Sequence, residues 1–127
     1  MITSPSALII EDDESLATIF AEALNTVDFK TEIIRDGGLA MTRLATTEPD
    51  VVILDLHLPN VSGKDILHHI QTDQRLRATR VMIVTADAAL VDSLQDEADL
   101  ALLKPVSFHQ LRDLAARLRP PDTLDLK

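Results

Sequence analysis

The stretch Val51-Val52-Ile53-Leu54-Asp55-Leu56-His57-Leu58-Pro59-Asn60-Val61-Ser62-Gly63 decides the fold. It opens with an unbroken apolar run, mostly β-branched, and closes on a single carboxylate. Unbroken apolarity, without alternation, suits a strand buried on both faces of a parallel sheet. The Pro and Gly beyond it mark a loop. Working outward, three more runs share this form: Ala7–Ile10 runs into Glu11-Asp12-Asp13, Val81–Val84 stops at Thr85, and Leu100–Leu103 stops at Lys104-Pro105. Thr31–Arg35 is a further strand candidate.

Segments with helical spacing lie between the runs. Leu16, Ile19, Phe20, Ala23 and Leu24 form one stripe, and Leu39, Met41 and Leu44 a weaker one. Ile66, Leu67 and Ile70 follow, then Leu90, Val91 and Leu94, then Phe108, Leu111, Leu114, Ala115 and Leu118. The order is β-α repeated five times, which predicts an α/β fold, a doubly wound parallel sheet with helices on both faces. Each helix supplies the crossover that parallel strands require. Asp36-Gly37-Gly38 is expected as a turn, Ser107 as the cap of the last helix, and Pro120-Pro121 as its stop. The helix between Asp87 and Ala98 is Asp-rich and has no clear boundary in the sequence.

At 127 residues this fills one domain, with a core at about residues 7–118 and a polar tail over 119–127. The net charge of −9 argues against sequence-independent nucleic-acid binding, which needs a basic face, and against docking on an anionic membrane. There is no cysteine, so no disulfide framework or thiolate metal site, and no apolar run approaches the length of a membrane span. The first six residues lack the basic and apolar regions of a signal peptide, and the expected location is the cytoplasm.

Carboxylates, a hydroxyl and an ammonium, each ending a different run, would meet at the carboxyl edge of the sheet, where open α/β folds bind ligands. Three adjacent acids at 11–13 suit a hard divalent ion such as Mg²⁺, or equally a solvated acidic loop at a helix N-terminus; Asp13 reads as well as a first-turn acid. Asp55 suits a nucleophile toward phosphorus beside a metal, or a turn carboxylate. Thr85 suits a donor to a phosphoryl oxygen, with the small Ala86 leaving room, or an N-cap. Lys104 needs an acidic partner, which a phosphate or Asp55 would provide, unless it reaches solvent. The Lys104-Pro105 bond is a candidate for a cis peptide.

Taken in order, these segments resemble the receiver domain of two-component response regulators, from Ala7 to about Leu118. The resemblance rests on Glu11-Asp12 after the first run, Asp55 with Pro59 and Gly63 beyond it, Thr85-Ala86, and Lys104-Pro105. It implies a single five-stranded parallel sheet in the flavodoxin-like order 2-1-3-4-5. It further implies that Asp55 receives a phosphoryl group from a histidine kinase or phosphotransfer protein. Glu11, Asp12, Asp55 and the main-chain carbonyl of His57 would hold Mg²⁺, Lys104 would pair with the phosphoryl group, and Thr85 would move toward it, changing the surface around the fourth helix, fifth strand and fifth helix. A homodimer through that face is compatible with the reading, although no residue pattern specifies it.

The chain departs from the family pattern in three places. Many receivers carry an aromatic three residues before the lysine, where this chain has Ala101. His57 and Asp87, each two residues past a site residue, bear on the lifetime of the phosphoryl group. Two rival readings are a phosphorylation-independent pseudo-receiver and an aspartyl-nucleophile phosphohydrolase of the haloacid-dehalogenase type. The second needs an acid two residues past the nucleophile, where His57 stands. Gly37, Gly38 and Gly63 cannot make a P-loop. The expected function is therefore a signalling switch, not an enzyme. No output segment follows Pro121 in this sequence, so the expected mode is docking or phosphate shuttling, or a Pro-Pro linker to a further domain.

Overall fold

The computed structural model describes residues 4–121; the polar tail expected beyond Pro121 lies outside the described residues. Five parallel strands, β1 (Ser6–Ile10), β2 (Lys30–Ile34), β3 (Val51–Asp55), β4 (Arg80–Thr85) and β5 (Leu100–Leu103), form one sheet in the order β2-β1-β3-β4-β5. The crossovers are α1 (Glu14–Asn25), α2 (Gly37–Leu44), α3 (Gly63–Thr72) and α4 (Ala88–Leu94), and α5 (Phe108–Leu118) follows the last strand. A 3₁₀ turn, Gln74–Leu76, follows α3.

The alternation hidden inside the apolar runs builds two cores. Ala7, Ile9, Val51, Ile53, Met82 and Val84 face α1 and α5, packing on Phe20, Leu24, Leu111 and Ala115. Leu8, Ile10, Val52, Leu54, Val81 and Ile83 face the other way, onto Ala40 and Leu44 of α2, Ile66, Leu67 and Ile70 of α3, and Leu94 of α4. Both side-chain directions of each central strand are therefore apolar, which is why these runs show no period of two. β2 and β5 are edge strands and only partly covered. β1 and β3 are held in register by Ile9 opposite Ile53 and Ile10 opposite Leu54, while Leu54 lies opposite Ile83 of β4. This register brings the ends of the central strands to one edge.

Several local expectations shift. Asp36-Gly37-Gly38 is a helix start instead of a free turn: the Asp36 side chain accepts from Leu39 N–H, and the two glycines open α2. The second strand runs one residue earlier than the pattern suggested, and Arg35 falls outside it. In α2 the buried positions are Ala40 and Leu44, whereas Leu39 is 63% exposed; Ile19 in α1 is also exposed. α4 ends at Leu94, and the chain turns toward β5 through Asp99, whose N–H donates to the carbonyl of Val81. Ser107 caps α5 by accepting from Gln110 N–H, as expected.

Two close approaches fix the loop that leaves β3. A Cβ on Gly63 would stand 2.4 Å from the carbonyl oxygen of Asp55 and 2.5 Å from Leu56 Cα. A Cβ on Gly37 would stand 2.0 Å from the carbonyl oxygen of Val61, and Gly37 N–H donates to the carbonyl of Pro59 at 3.0 Å. Asn60, at φ 72°, donates from its side chain to Asp36. The loop is thus seated against the start of α2, with backbone where any side chain would have to go. A Cβ on Gly38 would meet no backbone, only a carboxylate oxygen of Asp36 at 3.1 Å and Asn60 Cβ at 3.8 Å. Gly63→Ala is therefore expected to lower the unfolding free energy by about 1–3 kcal/mol, the usual range for overpacking against fixed atoms. Gly38→Ala should stay within about 0.5 kcal/mol of the parent or gain slightly, because it replaces glycine inside a helix. Urea unfolding of the two variants checks the contrast.

Candidate functional site

The carboxyl edge of the sheet gathers Glu11, Asp12, Asp55, Thr85 and Lys104. Asp55 is the last residue of β3 and Thr85 the last of β4; both side chains are buried, as is Glu11 just past β1. The strands put them there because each apolar run is nearly the same length and the register is parallel, so the first polar residues arrive at one edge, stepped by one residue from β3 to β4 (Asp55 opposite Val84) and again from β4 to β5 (Thr85 opposite Leu103). Lys104 follows β5, and its main-chain N–H donates to the carbonyl of Thr85 at 2.7 Å, which carries the lysine to the site. The Lys104–Pro105 peptide is cis.

The Lys104 ammonium lies 2.8 Å from Glu11 Oε1 and 3.6 Å from Asp55 Oδ1, so its closer partner is Glu11 and not the Asp55 expected from sequence. Glu11 Oε2 accepts from Asp13 N–H at 3.2 Å, and Asp55 Oδ1 accepts from His57 N–H at 3.3 Å. One carboxylate oxygen from each of Glu11, Asp12 and Asp55 lies within 4.8 Å of the others. Burial pushes the Glu11 carboxyl up to about 7; Lys104 and the Asp13 N–H pull it down again, and the neighbouring Asp55 raises it. For Lys104, burial works against the charge, but the contact with Glu11 and the nearby Asp55 and Asp12 outweigh it and hold the ammonium above its ordinary value. Three carboxyl groups against one ammonium leave the edge short of positive charge. That donor set, oxygen only and partly buried, fits a hard divalent cation that keeps some of its waters.

The competing readings of these residues separate. Asp13 is the N-cap of α1, accepting from Leu16 N–H at 2.9 Å, and stands apart from the carboxylate cluster. The cap of α4 is Asp87, not Thr85: Asp87 accepts from the N–H groups of Ala89 and Leu90. Thr85 Oγ1 instead accepts from Asp87 N–H at 3.2 Å. Lys104 does not run out to solvent; its side chain is 19% exposed. Ala101 sits in β5 opposite Ile83, partly buried against the α2–α4 core.

Two supports escaped the sequence reading. Arg35 Nε donates to the main-chain carbonyl of Asp12 at 3.0 Å, tying the acidic loop to the end of β2. The Asp36–Asn60 contact braces the loop beyond Asp55. Arg35 had no pattern to reveal it, since a lone arginine after an edge strand reads as surface charge. The Asn60 contact had a weak signal, an Asn in a Pro-Asn loop where a left-handed residue is common.

The family profile described as response regulator receiver domain matches residues 7–116. The DNA-binding response regulator MtrA of Mycolicibacterium smegmatis is 32% identical over 112 residues, covering 88% of this chain and 48% of its own length. The sensor histidine kinase TmoS of Ectopseudomonas mendocina is 28% identical over 117 residues, covering 90% of this chain and 12% of its own length. This chain therefore spans about half, or much less, of these relatives. Among solved structures, the CheY-like receiver domain from Methylobacillus flagellatus superposes with a TM-score of 0.80 at 24% identity, covering 91% of this chain and 99% of that one. Among the described residues no helix is long and apolar enough to cross a membrane. With its strand order, its carboxyl-edge cluster and the profile match over most of its length, the chain belongs to the response regulator receiver domain family, a family of two-component signalling domains and not of enzymes.

Proposed function

We propose that this chain is a phosphorylation-controlled switch. Asp55 takes a phosphoryl group from a histidine kinase or phosphotransfer protein, with Mg²⁺ held by Glu11, Asp12, Asp55 and the main-chain carbonyl of His57. Residues 1–127 act as one receiver unit, with the working core at about 7–118. The observation that carries the reading is the convergence of a buried Asp55, a carboxylate cluster and the Lys104 ammonium at one strand edge.

The geometry divides the labour between the two oxygens of Asp55. The His57 N–H and the Lys104 ammonium both address Oδ1. This orients the carboxylate and leaves Oδ2 to attack phosphorus. The Oδ2–P bond forms as the bond from phosphorus to the donor's imidazole nitrogen breaks, and the nitrogen leaves with the electron pair. Bound Mg²⁺ supplies positive charge that offsets the repulsion between carboxylates and phosphoryl oxygens. Lys104 is then free to shift from Asp55 to a phosphoryl oxygen, while Glu11 Oε1 keeps its hold on the same ammonium. Thr85, buried beside them with its hydroxyl hydrogen available, donates to another phosphoryl oxygen. The output partner reads the change this makes at the surface. The net charge of −9 speaks for a protein partner over nucleic acid for this unit, and we place the chain in the cytoplasm, with its phosphoryl donors.

Two measurements test the reading. With acetyl phosphate and Mg²⁺, intact mass should rise by one phosphoryl group, which Asp55→Asn abolishes. Lys104→Ala should slow the uptake roughly a hundredfold, the usual cost of removing one charge-stabilising donor. Mass gain that survives Asp55→Asn would overturn the assignment.

The second concerns Glu11. Its folded-state pKa of about 7 lies above the ordinary carboxyl value of 4.5, so between these values the folded chain holds a proton that the unfolded chain has released. The contribution of Glu11 to stability is therefore present below about pH 4.5 and falls as pH rises through about 7. In EDTA the parent should lose stability across that window relative to Glu11→Gln, and millimolar Mg²⁺ should remove much of the loss. Asp36 and Asp73, whose carboxyls are held low mainly by the N–H groups of Leu39 and Arg75, titrate below their ordinary 3.8 and do not overlap this window. Denaturant melts at a series of pH values check it.

A further inference from the structure

Three consecutive residues where β2 passes into α2 hold both loops that carry the expected cation ligands. Arg35 Nε donates to the main-chain carbonyl of Asp12 at 3.0 Å, on the loop that leaves β1. Asp36 accepts from the Asn60 side chain, and Gly37 N–H donates to the carbonyl of Pro59 at 3.0 Å, both on the loop that leaves β3. β1 lies between β2 and β3 in the sheet, so the junction reaches past the end of β1 to grip the β3 loop. The β1–β3 ladder does not extend this far: its last matched pair is Ile10 opposite Leu54, before Asp12 and Asp55. Beyond that pair the main chain of the first loop is held from the β2 side, where Glu11 N–H donates to the carbonyl of Ile34 at 3.1 Å.

We infer that residues 35–37 set the span between the Asp12 and Asp55 carboxylates, with Arg35 as a positioning residue that favours Mg²⁺ over Ca²⁺, resting on the cation site proposed above. One oxygen from each of Glu11, Asp12 and Asp55 lies within 4.8 Å of the others. Glu11 is held through its side chain by Lys104 and the Asp13 N–H, and Asp55 by Lys104 and the His57 N–H. Asp12 is exposed and takes its place through its backbone, which Arg35 fixes. Mg²⁺ demands near-octahedral oxygens at about 2.0–2.1 Å, whereas Ca²⁺ accepts longer and more variable ligation. Freedom in the Asp12–Asp55 span therefore costs Mg²⁺ more than Ca²⁺. The charge of Arg35 acts in the opposite direction. It is half-exposed, 3.8 Å from an exposed Glu14, and its guanidinium repels any cation nearby. Deleting that charge alone would strengthen binding, and by the same factor for two ions of equal charge. Charge and positioning thus call for opposite signs in affinity, and positioning alone changes the ratio between the ions.

The test is an NMR titration of the full unphosphorylated chain with Mg²⁺ and, separately, with Ca²⁺, read at the amides of Asp12 and Leu56. In Arg35→Gln, Mg²⁺ affinity should fall about tenfold, the lower end of what outer supports contribute to metal affinity, and Ca²⁺ affinity by less than about threefold. Asn60→Gly tolerates the positive φ of that position and removes the amide that meets Asp36, and it should move the ratio the same way. Arg43→Gln deletes a guanidinium paired to Glu32 instead, and the ratio should stay at the parent value. The amide spectrum of each variant verifies its fold. Tighter binding of both ions in Arg35→Gln, an equal loss for both, an unchanged ratio in Asn60→Gly, or the same change in Arg43→Gln would overturn the positioning role. A parent that binds neither ion, or binding undiminished in Asp12→Asn, would overturn the cation site itself.

Discussion

A single ammonium, that of Lys104, stands between two buried carboxyl groups at the edge of the sheet, and much of the local structure exists to make that placement tolerable. Glu11 and Asp55 are almost fully covered, and gathering like charges away from water is unfavourable without a cation. The lysine reaches them because its own backbone continues the β4–β5 ladder through the carbonyl of Thr85. The arrangement is incomplete as an electrostatic unit: one positive charge faces three carboxyl groups, and Glu11, pushed up to about 7 chiefly by burial and further by Asp55, holds its proton past the usual carboxyl range. A site already balanced would have no use for a further cation. In the proposed function this imbalance is what makes the site receptive to a divalent ion and, with the ion, to the negative charge of a phosphoryl group.

That edge was legible from the sequence because of a coincidence of lengths. Each central run is about as long as the sheet is deep, so the first polar residue in each run falls at the same edge, within a residue of its neighbour's level, and Asp55, Thr85 and Lys104 could be placed there from the sequence. What the runs could not convey is which side chains touch. The closer pairing of Lys104 with Glu11 depends on the reach of a long flexible side chain and the exact exit of β5, neither of which leaves a trace in residue spacing. Thr85 was open to reading as a helix cap until the actual cap, Asp87, appeared two residues later. Asp36-Gly37-Gly38 misled because turn composition and helix-start composition overlap. Gly37 is there for close approach: it lies against a loop that is distant in sequence.

That contact ties distant parts of the chain into one support. The loop beyond Asp55 lies on the amino end of α2 through Gly37, Asp36 and Asn60, while Gly63 brings α3 against the backbone of Asp55 and Leu56. Across the sheet edge, Arg35 holds the Asp12 carbonyl. Asp12 and Asp55 are thus each braced from the segment joining β2 to α2. A carboxylate cluster meant to grip an ion in fixed geometry needs such outer supports as much as its ligands, and here they come from residues with no chemistry of their own to announce them.

The side of the site that faces β5 is built differently. Ala101 stands where many receivers carry an aromatic, and an alanine is too small to follow the motion of a hydroxyl or to swing between buried and exposed positions. Yet Thr85 is not isolated. Its Oγ1 accepts from the N–H of Asp87, and the Asp87 side chain caps α4. α4 is only seven residues long and buries only Val91 and Leu94, so it is too short to be stable on its own and leans on its cap and those two anchors. In the proposed switch, a Thr85 hydroxyl drawn toward a phosphoryl oxygen withdraws the acceptor from Asp87 N–H at the point where α4 begins. The path from the phosphoryl site to the surface then runs through the start of α4 and bypasses Ala101. A short helix with few anchors is the element least able to resist such a pull, and the missing aromatic removes one route without closing the other.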